Sequence, residues 1–307
     1  MHLKERLKKG ADRLPYIRTL RHDLDLYKTP YPPGHFYSPI PSLSDVSSQS
    51  DRIFRKEDPL LGIDLNDSIQ FEFLDKFSQF REQPPFYEIS RRIRYNIQND
   101  TFSYDDGPIL NYMLRTLQPA QVIEVGSGNS SACALDTNDL YLDGKTHFTF
   151  IDPNCDNLNN ILQSGDTDRV TIIERQVQVV DLALFEQLQP NDVLFIDSSH
   201  VMKIGSDLHT IIFEILPRLK PGVYIHFHDV RYPFQYYQPF LDQGYYWNEA
   251  YVLRAFLQYN VAFKIVFWLN YLLNVHNDQV RSLLPFLPID IANDRYSGGS
   301  IWLAKDA

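Results

Sequence analysis

The chain of 307 residues is long enough for one large domain with additions or for two modest ones, and its 44% hydrophobic and 22% charged residues are ordinary for a soluble globular protein. A formal net charge of -10 excludes a general nucleic-acid binder, which needs a basic face for phosphate contacts. Two cysteines, Cys133 and Cys155, give no disulfide framework and read as packing residues in a protein of the reducing cytoplasm.

The first 60 residues differ from the rest. Lys4, Arg6, Lys8, Lys9 and Arg13 crowd together as on a solvated helix face, with contact to a membrane surface or an acidic partner as the alternative. Met1 to Leu20 lacks a continuous apolar stretch, so no signal peptide is expected. Pro15, Pro30, Pro32, Pro33, Pro39 and Pro41 remove backbone donors and fix φ, which predicts an extended arm over residues 1–60. The aromatics between Tyr31 and Pro41 are too many for a plain linker, so the arm should pack on the main body, with His35 and Tyr37 placed to cover a substrate.

Residues 61–118 are expected to be a helical segment. Ile69, Phe73, Leu74, Phe77 and Phe80 recur at helical spacing from Ser68 to Phe80, and Pro84 and Pro85 stop that helix. A second helix runs from Gly107 to Leu117, with Asp105 or Asp106 as N-cap and Pro119 at its end.

From residue 119 to 307 the pattern becomes strand and helix in alternation. Apolar runs at 121–125, 147–151, 170–173, 193–196, 223–227, 263–268 and 300–303 read as strands, with helices such as 207–219 and 249–259 between them. Buried strands joined by crossover helices predict a doubly wound, Rossmann-like α/β sheet. Gly298-Gly299 should turn the last strand into the sheet as a hairpin. The apolar stretch from Val261 to Leu273, broken by Lys264 and Asn270, is too short to cross a bilayer.

The segment from Val122 to Ser131 is a strand, a glycine turn and a helix start. Gly126 and Gly128 let backbone approach a ligand, and the helix amides beyond them, with Ser127 and Ser130, favour polar groups. A dinucleotide fingerprint wants a third glycine where Ser131 stands, which disfavours an NAD-dependent oxidoreductase. Glu124, two positions before the first glycine, suits an ammonium group instead. Asp152, at the tip of the second strand in Phe150-Ile-Asp-Pro153, is placed to accept both ribose hydroxyls.

Glu-Val-Gly-Ser-Gly at 124–128, Ile-Asp-Pro at 151–153 and Leu-Phe-Ile-Asp-Ser-Ser-His at 194–200 together resemble class I S-adenosylmethionine-dependent methyltransferases, over Phe102 to Leu303. The chain is similar to a bacterial group whose fourth strand ends in Asp-Ser-Ser-His. The resemblance implies a seven-stranded sheet with the last strand antiparallel. It implies S-adenosylmethionine as cofactor, with Asp106 and Gln178 where such enzymes contact methionine and adenine. It also implies O-methylation of a small-molecule or sugar-like hydroxyl. A methyltransferase fold that binds without turnover is the alternative, and a homo-oligomer is compatible with either.

The reaction centre should form at the carboxyl ends of strands four and five. Asp197 and His200 follow one, and His226, His228 and Asp229 close the other, with both histidines on one face of the strand. Related metal-dependent O-methyltransferases hold a divalent ion there, which makes Asp197, His228 and Asp229 the expected ligand set, although His228 stands where a carboxylate or amide is usual. The rival mechanism is metal-free, with His200 or His228 as general base. His226 is expected to be a structural histidine satisfied by a backbone carbonyl. Asn248 should cap the following helix, and the loops at 232–239 and 245–249 should help to cover the substrate.

Overall fold

The computed structural model describes residues 14–17, 19–20, 29–54, 60–80, 85–87, 93–285, 287 and 298–306. The basic run from Lys4 to Arg13 lies outside them, as does Pro84. The chain divides into two compact units, one of residues 1–55 with 239–246 and the other of residues 56–238 with 247–307.

In the first unit the proline-rich stretch closes a turn on itself. The Gly34 N–H donates to the Ile40 carbonyl at 3.0 Å, and the Tyr37 N–H donates to His35 Nδ1 at 3.1 Å. His35 stacks on Tyr31 with ring centroids 4.5 Å apart, so the aromatics pack within the turn itself. Short helices follow at Leu43–Ser48, capped by the Ser42 hydroxyl, and at Ser50–Ile53.

The second unit is built on strands β1 (Gln121–Val125), β2 (His147–Ile151), β3 (Val170–Ile173), β4 (Val193–Ile196), β5 (Tyr224–Phe227), β6 (Phe263–Trp268) and β7 (Ile301–Lys305). Their order is β3-β2-β1-β4-β5-β7-β6, with every neighbouring pair parallel except those made by β7. This is the expected doubly wound, seven-stranded sheet with an antiparallel last strand. The central strands are mostly apolar because both sheet faces are covered, and Phe148, Phe150, Phe195, Phe227, Trp268 and Trp302 are fully buried. The order reverses between β1 and β4, so the carboxyl ends of these strands border a crevice. Among the described residues no helix is long and apolar enough to cross a membrane.

Several local expectations need correction. The last strand does not enter by a tight hairpin. Helices Leu269–Val275 and Asn277–Leu283 follow β6, and β7 then inserts between β5 and β6. The expected helix at 207–219 begins as Asp207–Thr210 but widens into a π-helical turn at Ile211–Ile215 and tightens at Leu216–Arg218. Pro217 has no N–H to donate and crowds the preceding turn, so the regular ladder cannot continue through it. Helices Asp67–Ser78 and Asp106–Leu117 form near their expected limits. The second is not capped by an acidic side chain. Asp105 stands at the N-cap position without a capping bond, and Asp106 Oδ1 accepts from the Gly299 N–H at 3.1 Å and the Ser300 hydroxyl at 2.7 Å.

A buried ionic cluster without a sequence signal fixes the segment before that helix. Arg94 donates to Asp136 and Asp139 at 2.7 Å and to Asp166 at 2.8 Å, and the Tyr95 N–H donates to Asp136 at 2.8 Å. The Tyr95 hydroxyl then holds the Phe102 carbonyl at 2.6 Å, while Asn129 donates to the Thr101 hydroxyl at 2.9 Å. Thr101 and Phe102 are thereby set as a wall beside the glycine turn.

Candidate active site

β1 runs into the glycine turn, and the turn's geometry selects its residues. Gly126 has φ +84°, and a Cβ there would lie 1.8 Å from the Asp197 carbonyl oxygen. No side chain fits between the two strand ends. At Gly128, the N-cap of helix Asn129–Tyr141, a Cβ would meet nothing within 4 Å. The face of Gly128 opens onto free space, as a backbone cradle for a ligand requires.

The Ser127 N–H and hydroxyl donate to Asp152 Oδ2 at 2.8 and 3.1 Å, and the Asn154 N–H donates to Oδ1 at 2.8 Å. Asp152 is thus held at the tip of β2 with its carboxylate toward the turn. Glu124 lies beneath, 2% exposed, and accepts from the Ser130 hydroxyl at 2.5 Å. Its burial, only partly offset by Ser130 and Ser131, raises its pKa to about 8.

Two cavities flank this turn. One, of about 490 Å³, is lined by Val125, Asp152, Val177, Gln178 and Ser199 among others. The second, of about 520 Å³, is lined by Phe102, Ser127, Gly128, Ser130 and Asn160 among others. Gly126, Asp152 and Asp197 border both. Gln178 is fixed by donating to the Gly205 carbonyl at 3.0 Å. Glu124 borders neither cavity directly and communicates through Ser130, and Asp106 sits at the start of β7 instead.

The groups expected at the ends of β4 and β5 do converge. His200 is 7% exposed and takes a left-handed backbone, φ +59°, as does Asp229 at φ +55°. Such conformations in non-glycine residues are costly and concentrate at functional sites. His200 Nε2 lies 3.5 Å from Asp197 Oδ1 and 3.7 Å from Asp229 Oδ2, while Nδ1 lies 2.7 Å from Glu249 Oε2. His228 Nε2 is 4.0 Å from Asp229 Oδ1.

This arrangement does not fit the expected divalent ion. His200 Nε2 fills the gap between the two carboxylates that were to share the metal. Among the described residues no group of three or more His, Cys, Asp or Glu side chains is arranged to hold an ion. The positive charge that two facing carboxylates need comes from the imidazole. Burial lowers the His200 pKa, but Asp197, Glu249 and Asp229 outweigh it and raise it to about 11. Burial likewise raises Asp197, yet His228 and His200 hold it below the usual carboxylate value.

His226 is buried as expected, with its ring stacked on Phe195 at a centroid distance of 3.8 Å. Its ring faces the Ile196 backbone, a carbonyl partner of the kind expected, although among the described residues neither ring nitrogen makes a hydrogen bond of normal geometry. Burial, with His228 nearby, pushes its pKa well below the ordinary value and keeps the ring neutral. His226 and His228 share a face of β5, their centroids 5.8 Å apart.

Two residues have roles that the sequence reading did not assign. Asn248 is no side-chain cap for helix Glu249–Leu257. Its Oδ1 accepts from the Met202 N–H at 2.6 Å. Glu249 carried one signal, an acidic group in a helix's first turn, and that alone means only a favourable end for the helix dipole.

Residues 123–230 match a family model described as methyltransferase domain. Over 168 residues the chain is 32% identical to an uncharacterized protein of Archaeoglobus fulgidus, a match that spans 52% of this chain and 75% of that protein. Among solved structures it is similar to the SAH-bound methyltransferase PaMTH1 of Podospora anserina, at 14% identity over 86% of this chain and 95% of that one, with TM-score 0.42. It is also similar to the O-methyltransferase TomG of Streptomyces achromogenes in complex with SAM, at 12% identity over 86% and 96%, with TM-score 0.42. The chain belongs to one family with the Archaeoglobus fulgidus protein and carries a methyltransferase domain at residues 123–230.

Proposed function

We propose that this chain uses S-adenosylmethionine to methylate a hydroxyl of a small molecule. The observation that carries the reading is the meeting, at Asp197, of the two cavities beside the glycine turn with the His200–Asp229 cluster. The cofactor supplies a methyl group already activated on a sulfonium. The open face of Gly128 suits its close approach to the backbone. Asp152 would accept the ribose hydroxyls and Gln178 would border the adenine. Glu124, beneath Ser130, would attract the cofactor's positive charge.

The chain's own groups then manage the acceptor. His200 carries its proton through neutral pH, so Nε2–H donates to the acceptor oxygen and steadies the negative charge that develops there. The Asp197–Asp229 pair takes the hydroxyl proton. Methyl transfer is favoured over binding without turnover because three buried or half-buried carboxylates around one imidazole are costly to retain without chemistry to perform. The cytoplasm is the setting that this reading assigns to the chain.

Calorimetry with S-adenosylhomocysteine should show binding, and Asp152→Ala should weaken it about tenfold or more by removing a charged acceptor. Glu124 is mostly protonated below pH 8 in the free protein, and a bound ammonium favours its ionised form. Affinity should therefore rise between pH 6 and pH 8. Tight NADH binding without a response to S-adenosylhomocysteine would overturn the cofactor assignment.

Exhaustive chelation should leave the transfer rate unchanged, since His200 occupies the place between the carboxylates. Loss of activity that one divalent ion restores would instead return Asp197, His228 and Asp229 to the role of ligands.

A further inference from the structure

We propose that Glu249 is the positioning residue of the reaction centre, holding the His200 ring so that Nε2 faces the gap between Asp197 and Asp229. The inference rests on the methyl-transfer reading for its kinetic consequence, but its geometric content stands by itself.

Glu249 and its neighbour grip His200 from two directions. The carboxylate meets Nδ1 at 2.7 Å, and the Asn248 and Glu249 N–H groups donate to the His200 carbonyl at 3.1 and 3.2 Å. Asn248 also clamps the Met202 backbone at 2.6 Å. The first residues of helix Glu249–Leu257 thus fix both the ring and the left-handed backbone that carries it. Trp247 closes the remaining side, its ring centroid 4.4 Å from that of His200.

The cost of this arrangement argues against simple packing. Glu249 is 1% exposed, Oε1 has no partner among the described residues, and His200 supplies its one described side-chain bond. A buried carboxylate with a single described partner is expensive, and packing alone does not call for one. What it supplies is direction. With Nδ1 committed to Glu249, the ring presents Nε2 at 3.5 and 3.7 Å from the two catalytic carboxylates. The groups facing His200 are then Glu249 from the helix, Asp197 after β4, and Asp229 with His228 at the end of β5.

The test compares Glu249→Leu with Glu249→Gln in the full-length protein. Leucine fills the space but accepts no hydrogen bond, whereas glutamine keeps an acceptor without the charge. Glu249→Leu leaves the Nδ1–H unpaired and should lower the melting temperature by several degrees while the protein stays folded and keeps S-adenosylhomocysteine affinity, yet lower kcat about 10²-fold or more with little change in KM. Glu249→Gln should recover a substantial part of kcat. The His200 Nδ1–H proton resonance, downfield in the parent and in Glu249→Gln, should vanish in Glu249→Leu. That signal needs no acceptor substrate, so it tests the positioning even if methyl transfer is not the reaction. A Glu249→Leu protein with unchanged Nδ1–H signal and unchanged kcat overturns the proposal. So does one whose turnover falls only in step with its stability.

Discussion

Replacement of His200 by alanine is expected to lower methyl transfer by about 10²- to 10⁴-fold while leaving S-adenosylhomocysteine binding essentially unchanged. The imidazole sits outside both cavities that border the glycine turn but within 4 Å of two carboxylates at the strand ends. Its loss removes the donor to the acceptor oxygen and takes away the imidazolium that lies within 4 Å of both Asp197 and Asp229, leaving only His228 to offset the pair among the described histidines. The pair then takes up a proton more readily in the resting site, which blocks it from receiving the acceptor's. The pH dependence follows from the folded pKa of about 11, above the ordinary histidine value. The stabilising interaction is complete below about pH 6.5 and is lost as pH rises toward 11. Across pH 7 to 9, turnover should therefore show no fall assignable to His200. A decline centred near pH 7, absent from the His200→Ala protein, would contradict the imidazolium.

The second large effect is expected at Gly126. Its φ of +84° costs an L-residue about 1–2 kcal/mol, and the alanine Cβ would in addition lie 1.8 Å from the Asp197 carbonyl oxygen. Relief requires the ends of β1 and β4 to separate, which moves Asp197 itself. Gly126→Ala should lose on the order of 3 kcal/mol in urea unfolding, with cofactor binding and turnover lost together. Gly128→Ala is the control. Its Cβ meets nothing within 4 Å among the described residues, so stability should fall far less than in Gly126→Ala while S-adenosylhomocysteine binding weakens. If Gly126→Ala unfolds like the parent, the close approach of the two strands is not what the turn provides.

The sheet was legible because its strands are apolar runs separated by helical spacing, and such patterns report burial directly. The cluster of Asp197, His200, His228 and Asp229 was legible for a different reason. In a parallel doubly wound sheet the chain direction alone brings the ends of β4 and β5 to one crevice. What could not be read was orientation. The left-handed backbones of His200 and Asp229 turn the ring between the carboxylates, and no residue pattern announces such a conformation outside glycine or asparagine. The sequence pattern therefore suggested a metal where geometry supplies an imidazole. Glu249 was hidden because it comes from a helix 49 residues beyond His200, a pairing that only tertiary structure creates. Arg94 is the same case, its partners lying 42 to 72 residues away.

The central claim is methyl transfer from S-adenosylmethionine to a hydroxyl, and the most direct measurement follows the methyl group itself. The protein, treated with chelator, is incubated with methyl-labelled S-adenosylmethionine and a metabolite extract, and label is traced by mass spectrometry. The account predicts that label enters a small molecule as a methyl ether, with the parent protein and not with His200→Ala. Label that stays on the cofactor across all fractions, despite tight cofactor binding, would contradict it, as would label recovered on nitrogen, carbon or sulfur.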